Sequence, residues 1–206
     1  MSNNIIHPTA FVDRNVVLGK NNYIGPYCYI TGFTTIGNNN RFEGHCSIGT
    51  QAEHREYMGN SPEKLSNKVF IGNNNIIREF VTINAGTKSM TAIRHNNTLL
   101  RGSHIGHDVT MEDNCNISCN ALIGGHCYIM SGVNLGLGCI IHQFVKIGAY
   151  AMIGMGSVVT KNKMVFCGEM WYGNPAKYQS MNQIGISRNN ITQEQLLELN
   201  QRYIKL

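Results

Sequence analysis

Charge is scarce in this sequence: Asp, Glu, Lys and Arg make up 14% of 206 residues, against the roughly 25% usual in globular domains. Proline is scarce too, with 4 residues, and tryptophan occurs once. The net charge of +5 contains no dense Lys/Arg block, which argues against a nucleic-acid footprint. A mildly basic surface suits an anionic small molecule or an acidic carrier protein equally well. No run approaches the ~18 apolar residues of a membrane span, and "MSNNIIHPTA" lacks a basic segment followed by an apolar one. A cytoplasmic chain without a membrane span is therefore expected. The seven cysteines are odd in number and include no CxxC, so a disulfide framework is not expected.

What replaces charge is Asn, Gly, Ser and Thr, the composition of turns and flat strands. Counting by six from Ile105 gives Met111, Ile117, Ile123, Ile129, Leu135, Ile141, Ile147, Ile153 and Val159, preceded by Ile93 and Leu99. A second comb runs Val12, Leu18, Ile24, Ile30, Ile36, Phe42, Ile48, and a short third one Ile71, Ile77, Ile83. Neither a helical period near 3.6 nor a strand period of 2 keeps one position in six apolar. Only a turn recurring every six residues does. Glycine often follows the aliphatic residue, and five cysteines (Cys28, Cys46, Cys115, Cys127, Cys139) occupy the fourth place after it. They read as small interior hydrophobes.

This is the hexapeptide repeat of β-helices. It resembles the left-handed parallel β-helix acyltransferases, in which three six-residue faces make an eighteen-residue coil. The expected fold is thus an all-β, left-handed parallel β-helix over residues 1–165, of roughly seven coils. The combs are out of phase, so loops are expected to project at about 51–68 and 87–97. After Val159 the comb is expected to stop. Residues 166–206 then read as an irregular segment plus a short helix, "ITQEQLLELNQRYIKL", capped by Thr192 and placed to cover the C-terminal end of the stack.

Residues 18 apart lie one above the other on such a coil. His107 then stands under Gly125, and Asp108 under His126, with His104 just before the same turn. Three readings of these histidines compete. One makes them satisfied turn residues, and another makes His104, His107 and His126 zinc ligands. The zinc-binding carbonic anhydrases of this fold pair two histidines five residues apart, a spacing found nowhere here. The third reading is acid–base chemistry: an imidazole backed by a carboxylate, beside a glycine amide that no side chain obstructs, fits acyl transfer. No metal is expected.

The segments "HIGHDVTMEDNCNISCNALIGGHC", "GNNNIIREFVTINAGT" and "GNPA…MNQIGISR" resemble the UDP-N-acetylglucosamine 3-O-acyltransferase family of lipid A biosynthesis. The resemblance implies that His107 is the general base, Asp108 its partner and Gly125 the oxyanion donor. It places His104, His126, His142 and Gln143 along the sugar and acyl-phosphopantetheine cleft, Asn182 in the same cleft and Arg188 on the nucleotide phosphate. His45, His54 and His95 have no match and are taken as surface residues. The sequence departs from the family at Asn73, Asn84, Ile184 and Asn189, all around the nucleotide and sugar; Asn73 and Asn84 remain candidate contacts. Met155 stands where some members have glycine, and implies a preference for short acyl chains, of at most about ten carbons. Acyl carrier protein and a UDP-linked amino sugar are the implied partners, in a homotrimer with no bound cofactor. Acetyl-CoA-dependent sugar acetylation is the main alternative, ahead of a zinc hydratase or a trimeric scaffold.

Overall fold

The computed structural model describes residues 3–56 and 68–206. Its strands are mostly two residues long and fall into three parallel sheets, the faces of a prism. The first face begins with Ile5–Ile6, the second with Phe11–Val12 and the third with Val17–Leu18. Each strand pairs with the one a coil later, as Thr98 does with Asn116 and His104 with Leu122. The expected parallel β-helix is the fold observed.

The hexad aliphatics are its core. Ile105, Met111, Ile117, Ile123 and Ile129 are each 0% exposed, and Val12 and Leu18 pack on the same cluster from the first coil. The five cysteines of the repeat are buried with them, and burial pushes the Cys127 and Cys139 thiols up to about 12. They are interior hydrophobes, as expected.

At each corner one residue takes a left-handed backbone: Asn21, Asn39, Asn74, Asn96 and Asn114 in one column, and Asp108, His126, Phe144 and Asn162 in another. Asn and Asp tolerate that conformation better than most residues. The asparagine richness is therefore largely corner chemistry. Beside the first column lies a buried ladder: Asn22 N–H donates to Asn4 Oδ1 at 2.8 Å, Asn40 N–H to Asn22 Oδ1 at 2.9 Å and Asn75 N–H to Asn40 Oδ1 at 2.9 Å.

Several expectations need correction. The stack has nine parallel strands on its first face, not roughly seven coils, because the end coils carry the pattern in weaker form: Ile5–Ile6 is exposed and the last strand is Glu169–Gly173. The comb also continues past Val159, through buried Val165 to Trp171, which pairs in register with Ile153. The segment after residue 165 is ordered: Glu169–Gly173 and Ala176–Met181 form an antiparallel hairpin, followed by helices α1 (Gln183–Arg188) and α2 (Gln193–Ile204).

The second projecting loop is much smaller than expected. Partners there are 22 residues apart instead of 18, as between Asn75 and Asn97. Only about four residues are extra, and they lie between Asn84 and Thr91; Thr91–Ile93 is a wall strand with Thr91 and Ile93 buried. Ala92 between them is half-buried, the alternation a strand requires. The first insertion is larger, since Asn38 and Asn73 are 35 residues apart yet hydrogen-bonded neighbours. Its residues 57–67 lie outside the described residues.

Helix α2 begins with Thr192 in a capping box with Gln195, but it does not cover the end of the stack. Ala176 of the hairpin and Trp171 pack on the end of the main core. The helix lies on the flank, where Tyr203 is buried with Met130, Ala149 and Cys167. Arg202 pairs there with the carboxylate of Glu112, which is 2% exposed.

Candidate active site

Asp108 occupies a corner with φ 61°, and its carboxylate is fully buried. The four-residue insertion wraps it. Oδ1 accepts from the Lys88 N–H at 2.9 Å and the Ser89 N–H at 2.6 Å, and Oδ2 from the Thr87 hydroxyl at 2.7 Å. The Thr87 N–H reaches both oxygens. Burial pushes the carboxyl up, but the hydrogen bonds from Thr87, His107 and Ser89 outweigh it and hold Asp108 far below the usual carboxylate range. The acid is ionised throughout the neutral range.

Two imidazoles face that anion, His107 closely and His126, whose Nε2 lies 3.7 Å from Oδ2, at longer range. His107 Nδ1 lies 2.6 Å from Asp108 Oδ2, which fixes Nδ1 as the protonated nitrogen and leaves Nε2 with its lone pair outward. Only 8% of His107 is exposed. The expected register holds: the His126 N–H donates to the His107 carbonyl at 2.9 Å, and Gly125 lies flat against the His107 ring. A Cβ on Gly125 would stand 2.7 Å from both Cε1 and Nε2. Any side chain there would displace the imidazole, so glycine is required by contact. The Gly125 N–H meets no acceptor among the described residues.

His107 and Gly125 line a groove of about 370 Å³ on the second face, shared with Glu53, Asn84, His104, His142 and Gln143. His104 Nδ1 is 2.7 Å from the Thr82 hydroxyl, and burial keeps its pKa below the ordinary histidine value. Asn84 donates to the Gln51 carbonyl at 2.6 Å, while its own Oδ1 is buried without a partner among the described residues. Exposed Leu122 and Ile140 form the apolar wall. A second hollow, about 340 Å³, opens on the other side of His107, with His54, Lys88, His126 and Phe144.

Not every expected residue joins this site. Asn182 and Arg188 line a separate groove of about 380 Å³ on the first face, along with Ile184 and Asn189. Asn73 belongs to none of these grooves; its Oδ1 accepts from the Asn38 N–H at 2.7 Å and its N–H donates to His95. It is a rung of the corner ladder. Met155 is 74% exposed, one coil from Leu137 at the corner leading into the second face.

Other residues were missed. Thr87 and Ser89 clamp Asp108, yet "GTKSMT" reads only as a polar turn; its hydroxyls were the one available signal. Glu53 and His54 come from the first insertion, and the ring of His54, read as a surface residue, lies 6.1 Å from that of His107. Nothing in the hexad arithmetic reaches an inserted loop. His45, by contrast, stacks between exposed Tyr27 and Phe80, far along another corner.

Comparison with known proteins finds relatives of the chain in sequence and fold. Residues 15–50 fit the family model "Bacterial transferase hexapeptide (six repeats)". The chain is 32% identical to LpxA from Acinetobacter baumannii, with 98% of this chain and 82% of that one covered and a TM-score of 0.74. The chain belongs to the UDP-N-acetylglucosamine acyltransferase family. The family's enzyme from Campylobacter jejuni superposes with a TM-score of 0.86 at 29% identity, covering 97% of this chain and 76% of that one. The acyl-[acyl-carrier-protein]–UDP-N-acetylglucosamine O-acyltransferase of Nautilia profundicola is 39% identical over 147 residues, which are 70% of this chain and 54% of that protein. That of Xylella fastidiosa is 35% identical over 168 residues, 79% of this chain and 61% of the other. The chain thus spans little more than half the length of these curated members of the family.

Proposed function

We propose that the chain is an acyltransferase that moves a (3-hydroxy)acyl group from acyl carrier protein to a hydroxyl or amine of a UDP-linked amino sugar, as the names of its relatives suggest. The observation that carries this reading is the Asp108–His107–Gly125 contact at the head of an apolar-walled groove. Nε2 of His107 takes the proton of the attacking group, and Asp108 stabilises the imidazolium that forms. The free Gly125 N–H faces the oxyanion of the tetrahedral intermediate, a contact of a kind that contributes about 2.7–4 kcal/mol elsewhere. Collapse expels the phosphopantetheine thiolate, which receives the proton from His107. No cofactor is needed beyond the donor's own arm.

The orphan Oδ1 of Asn84 offers an acceptor to a donor group on the sugar, beside His104, His142 and Gln143. The exposed Leu122 and Ile140 of the groove wall suit the acyl chain, and the bulk of Met155, where some members of the family have glycine, limits it to at most about ten carbons. Asn182 and Arg188 lie on another face of the same prism, so a single protomer does not assemble the nucleotide and sugar sites. A homotrimer, packing the first face of one prism beside the second face of the next, brings them together. Among the described residues no helix is long and apolar enough to cross a membrane, in keeping with work in the cytoplasm on lipid A precursors.

Mass spectrometry of products from ACP and CoA donors of two to fourteen carbons with several UDP-sugars tests this. Short-chain acyl-ACP turnover is expected, falling by at least ~10²-fold in His107→Ala with the trimer intact. Unchanged turnover in that variant sinks the mechanism, and turnover of acetyl-CoA alone replaces the reading with surface-sugar acetylation.

A further inference from the structure

The Asp108 carboxylate is crowded, and its donors divide unevenly between the two oxygens. Oδ1 takes the Lys88 N–H at 2.9 Å and both donors of Ser89, the N–H at 2.6 Å and the hydroxyl at 3.0 Å. Oδ2 takes the Thr87 hydroxyl at 2.7 Å and His107 Nδ1 at 2.6 Å. The Thr87 N–H is shared, 3.0 Å from Oδ1 and 2.9 Å from Oδ2. His126 Nε2 lies 3.7 Å from the same Oδ2, outside hydrogen-bond range. A carboxylate offers about four lone pairs, two on each oxygen, so the Thr87 hydroxyl and His107 between them fill Oδ2.

We propose that Thr87 is a positioning residue, whose hydroxyl commits Asp108 Oδ2 to His107 and denies it to His126. The catalytic consequence rests on the base role of His107; the allocation of the carboxylate does not.

The rivalry between the two imidazoles is close. His126 stacks flat on Phe144, 4.6 Å between ring centres at 2°, and stands edge-on to His107 at 5.0 Å. A shift of about 0.8 Å brings its Nε2 to the usual N–H···O distance from Oδ2. Asp108 then divides its charge between two rings, and the His107 imidazolium formed during transfer loses part of its stabilisation. Lys88, His54 and Glu56 line the hollow that His126 shares with His107. Burial, helped by the neighbouring His107, Lys88 and His54, holds His126 below the ordinary histidine pKa against the pull of Asp108. With the hydroxyl gone, the uncompensated charge on Oδ2 favours the protonated ring, and His126 becomes the second donor.

Thr87→Val removes the hydroxyl at nearly constant shape, Thr87→Ser restores it, and Ser89→Ala makes the matching loss on Oδ1. Proton NMR titration of the whole protein reads His126 without any assay of turnover. Its midpoint should move up in Thr87→Val and stay at the wild-type position in Thr87→Ser and Ser89→Ala. In acyl transfer, Thr87→Val should lower kcat at least about tenfold with KM within about twofold, and Thr87→Ser should recover most of the loss. An unmoved His126 in Thr87→Val overturns the proposal, as does an equal upward shift in Thr87→Ser or Ser89→Ala. So does a wild type whose His126 is already charged at pH 7, a result that needs no substitution to fold. A shifted His126 with kcat unchanged overturns the positioning role. If His126 shifts as described but neither wild type nor Thr87→Ser transfers acyl groups, the acyltransferase reading falls and the allocation of the carboxylate stands.

Discussion

Two corners of the prism use the same backbone for opposite ends. Both carry left-handed residues on successive coils, and both stack residues 18 apart, as Asn96 over Asn114 and Asp108 over His126. At the asparagine corner the stacked groups satisfy one another: Asn40 accepts from the Asn75 amide and donates its own side chain to the Gly72 carbonyl at 2.8 Å. At the His107 corner the stack is interrupted by Gly125, which brings a bare amide against an imidazole and leaves both with capacity to spare. A closed ladder of hydrogen bonds stabilises, whereas an open one has chemistry left to offer. The difference is one of side-chain content and not of backbone shape.

That contrast is broken most severely at Asp108. Asp108→Asn keeps the shape but removes the charge that fixes the His107 tautomer, and turnover should fall on the order of 10³-fold, measured by initial rates. The same variant tests the pH dependence of stability. The folded pKa lies below the unfolded one, near 3.9, so the carboxylate stabilises the fold fully above that value and loses its contribution as pH falls through the folded pKa. Denaturation midpoints of wild type and Asp108→Asn should therefore differ at pH 7, and the gap should narrow steadily as pH falls below about 4. A constant gap across that range contradicts the hydrogen-bonded carboxylate.

Gly125→Ala comes next. Its methyl cannot fit 2.7 Å from the His107 ring, so the imidazole must tilt, and kcat should drop about 10²-fold with little change in melting temperature. At the other corner the pattern should invert. Asn40→Ala strands a buried amide and costs about 1–3 kcal/mol in urea denaturation, while turnover stays within twofold of wild type, by the same rate assay. The smallest effect is expected at Phe80, which is exposed and stacks on His45. Phe80→Ala should change stability by about 0.5 kcal/mol and turnover not at all.

The hexad register made much of this legible in advance. Once Ile105 and Ile123 are equivalent inward positions, His107 against Gly125 and Asp108 beneath His126 follow by counting. The cysteines at hexad places were readable for the same reason. Legibility failed where the period was broken or weak. Thr91–Ile93 was half hidden, since Ile93 keeps step with the main comb but sits in a polar stretch that reads as a loop, and Val165 and Trp171 were hidden because the hexad from Val159 to Met164 holds no glycine. The Asp108 clamp and the approach of His54 were hidden because insertions have no period from which to count.

The sequence by itself determined the repeating wall, its inward residues and the vertical neighbours along each corner, because periodic hydrophobic burial in a stacked coil admits one register. Only the tertiary structure decided what the interruptions do: which loop wraps the Asp108 carboxylate, which histidine swings toward His107, and on which face Asn182 and Arg188 lie. An inserted segment is placed by the contacts its side chains find after the prism exists, and those contacts are not local in the chain.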